Sequence, residues 1–210
     1  MASSMIHLAI ASEINKKLKR DSRKLLIGTI APDVSKHIGE DKTGSHFLPD
    51  NDTDIPDLQK FLDKYKEHLT DDFVLGYYIH LYTDYLWFKY FIPEIVDTDK
   101  LVITKQDGTR VKCSSNLAMS CIYNDYTNLN YLLIEEYDLD LKIFYEELPT
   151  LENIIEEIPM DKISIIVNKA GIIIENSKSR KELLFGIEEI KQFIKVSVER
   201  ISSELEELLL

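Results

Sequence analysis

Apolar residues recur at helical spacing over most of the chain. Met5, Leu8, Ile10, Ile14 and Leu18 mark one helix that Ser3 or Ser4 can cap and that runs to about Arg20. A second, short helix is predicted over Ser22–Ile30, ended by Pro32 because the residue before a proline avoids helical geometry. Residues 34–56 hold Gly39, Gly44, Pro49, Pro56 and several aspartates, and read as one long loop carrying His37 and His46. Asp57–Leu69 reads as a charged amphipathic helix. Residues 71–91 form the next helix, apolar nearly all round and therefore buried, stopping near Pro93. Leu101–Lys112 alternates about an Asp107-Gly108 turn, the pattern of a β-hairpin. Helices follow over Ser114–Glu136, Met160–Ser177 and Ser179–Leu210, with Pro149 and Pro159 breaking the region between into short pieces. Leu183, Leu184, Ile187, Ile190, Phe193, Ile194 and Ile201 carry the spacing of the last helix. The expectation is a single all-α domain over 1–210 with a small β-hairpin insertion near 101–112.

At 210 residues, 44% hydrophobic and 30% charged, the chain has the composition of a folded protein with one sizeable core. Its formal charge of −12 argues against general nucleic-acid binding. The N-terminus does not read as a signal peptide, because the basic cluster Lys16, Lys17, Lys19 and Arg20 follows the apolar stretch. No apolar run is long enough for a transmembrane segment. Cys113 and Cys121 form neither a disulfide framework nor a zinc knuckle, and as free thiols they fit a cytoplasmic location.

The candidate chemistry is a metal site made of His7, Asp33, His46, His80 and Asp84. Imidazoles and carboxylates are the ligand set of zinc and its neighbours, and manganese, iron or nickel suit the same donors. His80 and Asp84 stand four apart, on one face of the apolar 71–91 helix, where an unpartnered carboxylate is disfavoured. Each residue also has a plain reading: His7 at the edge of a core, Asp33 as a turn residue, His46 in solvent, His80 and Asp84 as an internal hydrogen bond. These need separate explanations, whereas one or two adjacent ions explain all five. His68, at a charged helix end, reads as solvated, and His37 is a spare candidate. The tyrosines Tyr77, Tyr78, Tyr82, Tyr85, Tyr123 and Tyr126 read as core before pocket lining. Asn124 and Asp125 are a possible additional site, with buried hydrogen bonding as their simpler role. There is no Gly-rich phosphate loop, nucleophile elbow or His-Glu-x-x-His run.

Five segments in order carry a resemblance: Ser4-Met-Ile-His7-Leu-Ala-Ile-Ala, Leu26-Ile-Gly-Thr-Ile-Ala-Pro-Asp33, Lys42-Thr-Gly-Ser-His46-Phe, Leu75-Gly-Tyr-Tyr-Ile-His80-Leu-Tyr-Thr-Asp84 and Tyr123-Asn124-Asp125. With them the chain resembles the zinc-dependent phospholipase C family, and within it the short, non-secreted bacterial branch described as hydrolases. The resemblance implies a multi-helix bundle of the phospholipase C/single-strand nuclease type. It implies one ion among Asp33, His46, His80 and Asp84, a second served by His7 with Asp84 bridging, and Asp33 as general base. The implied activity is hydrolysis of a small-molecule or lipid-like phosphoester, more specifically a phosphodiester. Six residues precede His7 where the secreted enzymes begin with a ligand, and no histidine follows His80 to build their third metal site. That departure favours the competing expectation, a non-catalytic helical protein with a residual structural metal site or a partner-binding surface.

Overall fold

The computed structural model describes residues 1–50, 54–97, 99–176 and 182–210, a mostly helical chain with a small antiparallel sheet. Helix α1 (Ser4–Leu18) starts at Ser3, whose Oγ accepts the N–H of Ile6 at 3.3 Å. It is followed by α2 (Ser22–Ile30), capped by the Asp21 carboxylate on the N–H groups of Arg23 and Lys24. The turn between them is held by Asn15, whose Oδ1 accepts from Arg20 N and whose Nδ2 donates to Arg20 O and Ser22 Oγ.

Helix α2 packs most extensively on the buried helix α5 (Asp72–Leu86), and glycine decides how closely. A Cβ on Gly28 would stand 2.1 Å from the carbonyl oxygen of Phe73, and one on Gly76 would stand 2.0 Å from that of Leu25. Only hydrogen at both positions lets the two backbones touch. Helices α1 and α9 (Ile187–Leu208) close the other sides of this pair, and α7 (Ser115–Glu136) and α8 (Ile163–Glu175) pack on α1 and α2.

A 3₁₀ turn, Ala31–Asp33, follows α2, and the segment expected to be one long loop opens with a short helix α3, Val34–His37. Pro32 does not stop the chain from coiling, because a proline sits without conflict in a first helical turn. Further on, Phe47 takes a left-handed conformation (φ 52°) and packs on Phe61 and Tyr65, the buried residues of α4 (Leu58–Tyr65), and on Tyr77 of α5. That anchor draws the loop inward. Asn51–Thr53 lie outside the described residues.

The helical run that begins with α5 ends at Ile95, two residues past Pro93. It widens to a π-helical turn over Trp87–Phe91 and continues as α6 (Ile92–Ile95), with Pro93 in the first turn of the new segment. Trp87 and Phe91 stack at 4.3 Å and meet Phe185 and Phe193, so aromatic packing holds the wide turn. The hairpin forms as expected from β2 (Val102–Thr104) and β3 (Arg110–Lys112), with Gly108 at φ 79° in the turn. A third strand, β1 (Val96–Asp97), adds antiparallel to β2 with Val96 opposite Ile103. Two residues carry no alternation, so no sequence pattern announces it.

The last helix begins later than its apolar spacing suggests. Ser177–Lys181 lie outside the described residues, and Leu183–Phe185 are not helical. Their N–H groups point at the Asp125 carboxylate: Leu183 N donates to Oδ1 at 2.9 Å, and Leu184 N and Phe185 N donate to Oδ2 at 2.7 and 3.2 Å. A buried acid on α7 thus replaces the helical partners these groups would have had.

Candidate metal centre

Each of the five expected residues is buried: His7, His80 and Asp84 are 0% exposed, His46 1% and Asp33 6%. They come from α1, the 3₁₀ turn after α2, the Phe47-anchored loop and α5. Two groups of mutually close donors result, Asp33 with His46 and His80, and His7 with His80 and Asp84. His80 belongs to both.

His80 is fixed by the crossing of α2 and α5. Its Nδ1 lies 2.8 Å from the carbonyl of Thr29. A carbonyl only accepts, so Nδ1 carries the hydrogen and Nε2 faces the cluster. His46 is fixed alike: Nδ1 is 3.0 Å from Ser45 Oγ, whose own hydrogen goes to Lys42 O. Ser45 then accepts from Nδ1–H, and Nε2 is again the inward atom. Tyr77 Oη donates to Ser45 O and holds this stretch in place.

The two inward nitrogens stand 3.3 Å apart. Around them are Asp33 Oδ1, 3.6 Å from His46 Nε2, and Asp84 Oδ2, 3.5 Å from His80 Nε2 and 3.8 Å from His46 Nε2. Donors about 2.0–2.2 Å from one cation stand about 3–3.6 Å from each other, so the spacing fits a shared ion. Two neutral lone pairs cannot face each other at this distance without a proton or a cation between them. Asp84 Oδ1 turns the other way, accepting the N–H of Ala2 at 2.9 Å and lying 3.4 Å from His7 Nε2. The His7 ring stacks on His80 at 3.9 Å, nearly parallel. Both ring nitrogens of His7, Asp33 Oδ1 and Asp84 Oδ2 are buried without a hydrogen bond. Orphaned buried donors and acceptors are rare, and a bound cation satisfies all of these carboxylate oxygens at once. Because Thr29 occupies His80 Nδ1, His80 offers a single nitrogen. Two ions would have to divide the cluster, with Asp84 the natural bridge.

The titration of the cluster agrees. Burial, helped by the positive charge of His80, pushes the His7 imidazole down to about 4. Burial likewise lowers His46 against the pull of Asp33. Burial alone would raise both acids; contact with His46 and the charges of the surrounding imidazoles hold Asp33 below the usual carboxylate range, and the Met1 ammonium with His7 and His80 does the same for Asp84. Burial disfavours charge on His80 too, but Asp84 outweighs it and the imidazole is raised. Neutral His7 and His46 beside ionised acids are the protonation states a metal requires.

Two clefts adjoin each other, and one of them is lined by a residue of the cluster. A larger one, about 760 Å³, is walled by Trp87, Phe88, Ile92, Met119 and Ile122 with Lys36 and Lys42 at its rim. A smaller one, about 320 Å³, reaches Asp33. Met1, Lys36, Tyr123 and Tyr126 line both, and Tyr126 Oη donates to Met1 O at 2.7 Å. Of the tyrosines read as core, Tyr77 and Tyr78 are buried as expected, Tyr126 is both buried and cleft-lining, and Tyr123 is exposed. His37 is half-buried on the smaller cleft and His68 is exposed. Asp125 is engaged with the 183–185 backbone and Asn124 Nδ2 donates to it at 3.1 Å; neither belongs to the two donor groups. Sequence reasoning missed the supports: Ser45, one residue before His46, and the Thr29 carbonyl, for which a backbone group leaves no signal. It missed Lys36 too, although Lys36 follows Asp33 at helical spacing.

Among the described residues, no helix is long and apolar enough to cross a membrane. The chain matches no family model, no curated protein and no solved structure.

Proposed function

We propose that the chain is a metal-dependent hydrolase of a phosphoester, preferentially a phosphodiester, built on a helical bundle of the zinc-dependent phospholipase C type. The observation that carries this reading is the burial of five residues, distant in sequence, about one cation-sized gap, with His46 and His80 each turned by a hydrogen bond so that Nε2 faces it. His7, Asp33, His46, His80 and Asp84 would hold one or two ions. Zinc suits the donors best, and manganese, iron or nickel fit them. Such an ion, when bound, lowers the pKa of water and offsets charge on phosphoryl oxygens. Asp33 is the cluster member that lines a cleft, and in this reading it would orient an attacking water and take its proton. The apolar walls of the larger cleft suit the apolar arm of a small-molecule or lipid-like ester.

A second reading, a structural metal site in a non-catalytic protein, draws on the near-complete burial of the cluster. One experiment separates the two. Elemental analysis of purified protein should find one or two metal equivalents, and His80→Ala should lose them. The zinc- or manganese-loaded protein should hydrolyse members of a panel of phosphomonoesters and phosphodiesters. Metal bound by wild type with the whole panel untouched selects the structural reading.

A further inference from the structure

Lys36 forms no ion pair among the described residues. Its Nζ donates instead to Tyr123 Oη at 3.0 Å and lies 5.4 Å from the centre of that ring. An ammonium has three N–H bonds, so this contact fixes the group without exhausting it. Tyr123 is 47% exposed, yet Lys36 ties its hydroxyl across the space between α3 and α7. The position matters more than the pairing. Lys36 stands one helical turn beyond Asp33, and both line the smaller cleft; Lys36 also lines the larger one. The other rim charges are otherwise engaged: Lys42 pairs with Asp54, and Asp41 accepts the N–H of Thr43 at 2.7 Å. Glu40 is the remaining carboxylate of the larger cleft's lining.

We infer that Lys36, oriented by Tyr123, is the anion-binding group at the junction of the two clefts, and that it receives a phosphoryl oxygen of the ligand. This rests on the hydrolase reading for the ligand's identity as an ester, but the site itself binds any phosphate or phosphonate anion. Holding the ammonium against an aromatic ring before the ligand arrives reduces the ordering that binding would otherwise demand.

The test is calorimetric titration of zinc-treated protein with inorganic phosphate and, separately, with phenylphosphonate, which cannot be hydrolysed. Lys36→Gln should weaken both by about ten-fold or more, as loss of a charged hydrogen bond does. Lys36→Arg should stay within about three-fold of wild type, and Lys105→Gln, an exposed control, should not change either. Tighter binding of phenylphosphonate than of phosphate assigns the site to an ester with an apolar arm; equal binding assigns it to free phosphate, with Lys36 in the same role. Wild type that binds neither anion, or Lys36→Gln that binds as wild type does, overturns the inference. If no ester is hydrolysed while binding still depends on Lys36, the hydrolase reading falls and the anion site stands.

Discussion

At the scale of single residues, the centre depends on which ring nitrogen of each histidine is free. Ser45 decides this for His46, and its removal leaves the imidazole able to rotate or to change tautomer. Ser45→Ala should therefore lower zinc affinity about ten-fold, read by competition with a chromogenic chelator, while far-UV circular dichroism stays unchanged. Protons would compete with a bound metal at the same atoms. His7, at about 4 when folded against an unfolded value of 6.5, binds its proton more readily in the unfolded chain. Stability then rises with pH between those limits, and a contribution of about 3 kcal/mol is absent at the acid end. His46 has the same sign, and His80 the opposite one. Chelator-treated protein should accordingly lose melting temperature as pH falls from 6.5 towards 4, and the zinc-loaded protein should lose it more steeply because protonation also releases metal. A flat profile over that range would refute the assignment of neutral, buried imidazoles.

At the scale of elements, two pieces of packing set the site. The first is the contact of α2 with α5 through Gly28 and Gly76. A methyl group at position 76 meets backbone of α2 at 2.0 Å, which no rotamer can relieve. Gly76→Ala should destabilise the fold by about 3 kcal/mol or more in urea unfolding. Because Thr29 moves with α2, metal affinity should fall with it. The second is Asp125, whose carboxylate caps three consecutive N–H groups at residues 183–185. Asp125→Ala leaves those groups unpaired and should cost about 2–4 kcal/mol without changing the metal content of the protein that remains folded. Loss of metal in that variant would return Asp125 to the ligand set. Both elements show how far sequence carries. The spacing of His80 and Asp84 on an apolar helix was readable, since period alone puts them on one face. The turn that buries His46 was not, since only Phe47 in a left-handed conformation against Phe61 and Tyr77 draws that loop inward.

At the scale of the whole molecule, helices distant in sequence meet round a polar centre that, without a cation, leaves buried oxygens and nitrogens unpaired. Metal should then act as part of the fold. Zinc at one hundred times its dissociation constant should stabilise the chain by about 2.7 kcal/mol, seen as a higher melting temperature that EDTA reverses. His80→Ala should show no such increase. The sequence by itself determined the helical periods, the hairpin with its Asp107-Gly108 turn, and the identity of the five metal-binding candidates, because these depend on residue type and local spacing. Tertiary structure alone decided that the five converge, which nitrogen each fixed imidazole presents, that Asp125 serves the backbone, and that Lys36 stands at the meeting of two clefts. Apart from the Ser45–His46 contact, those outcomes are set by contacts between residues tens of positions apart, which local patterning does not encode.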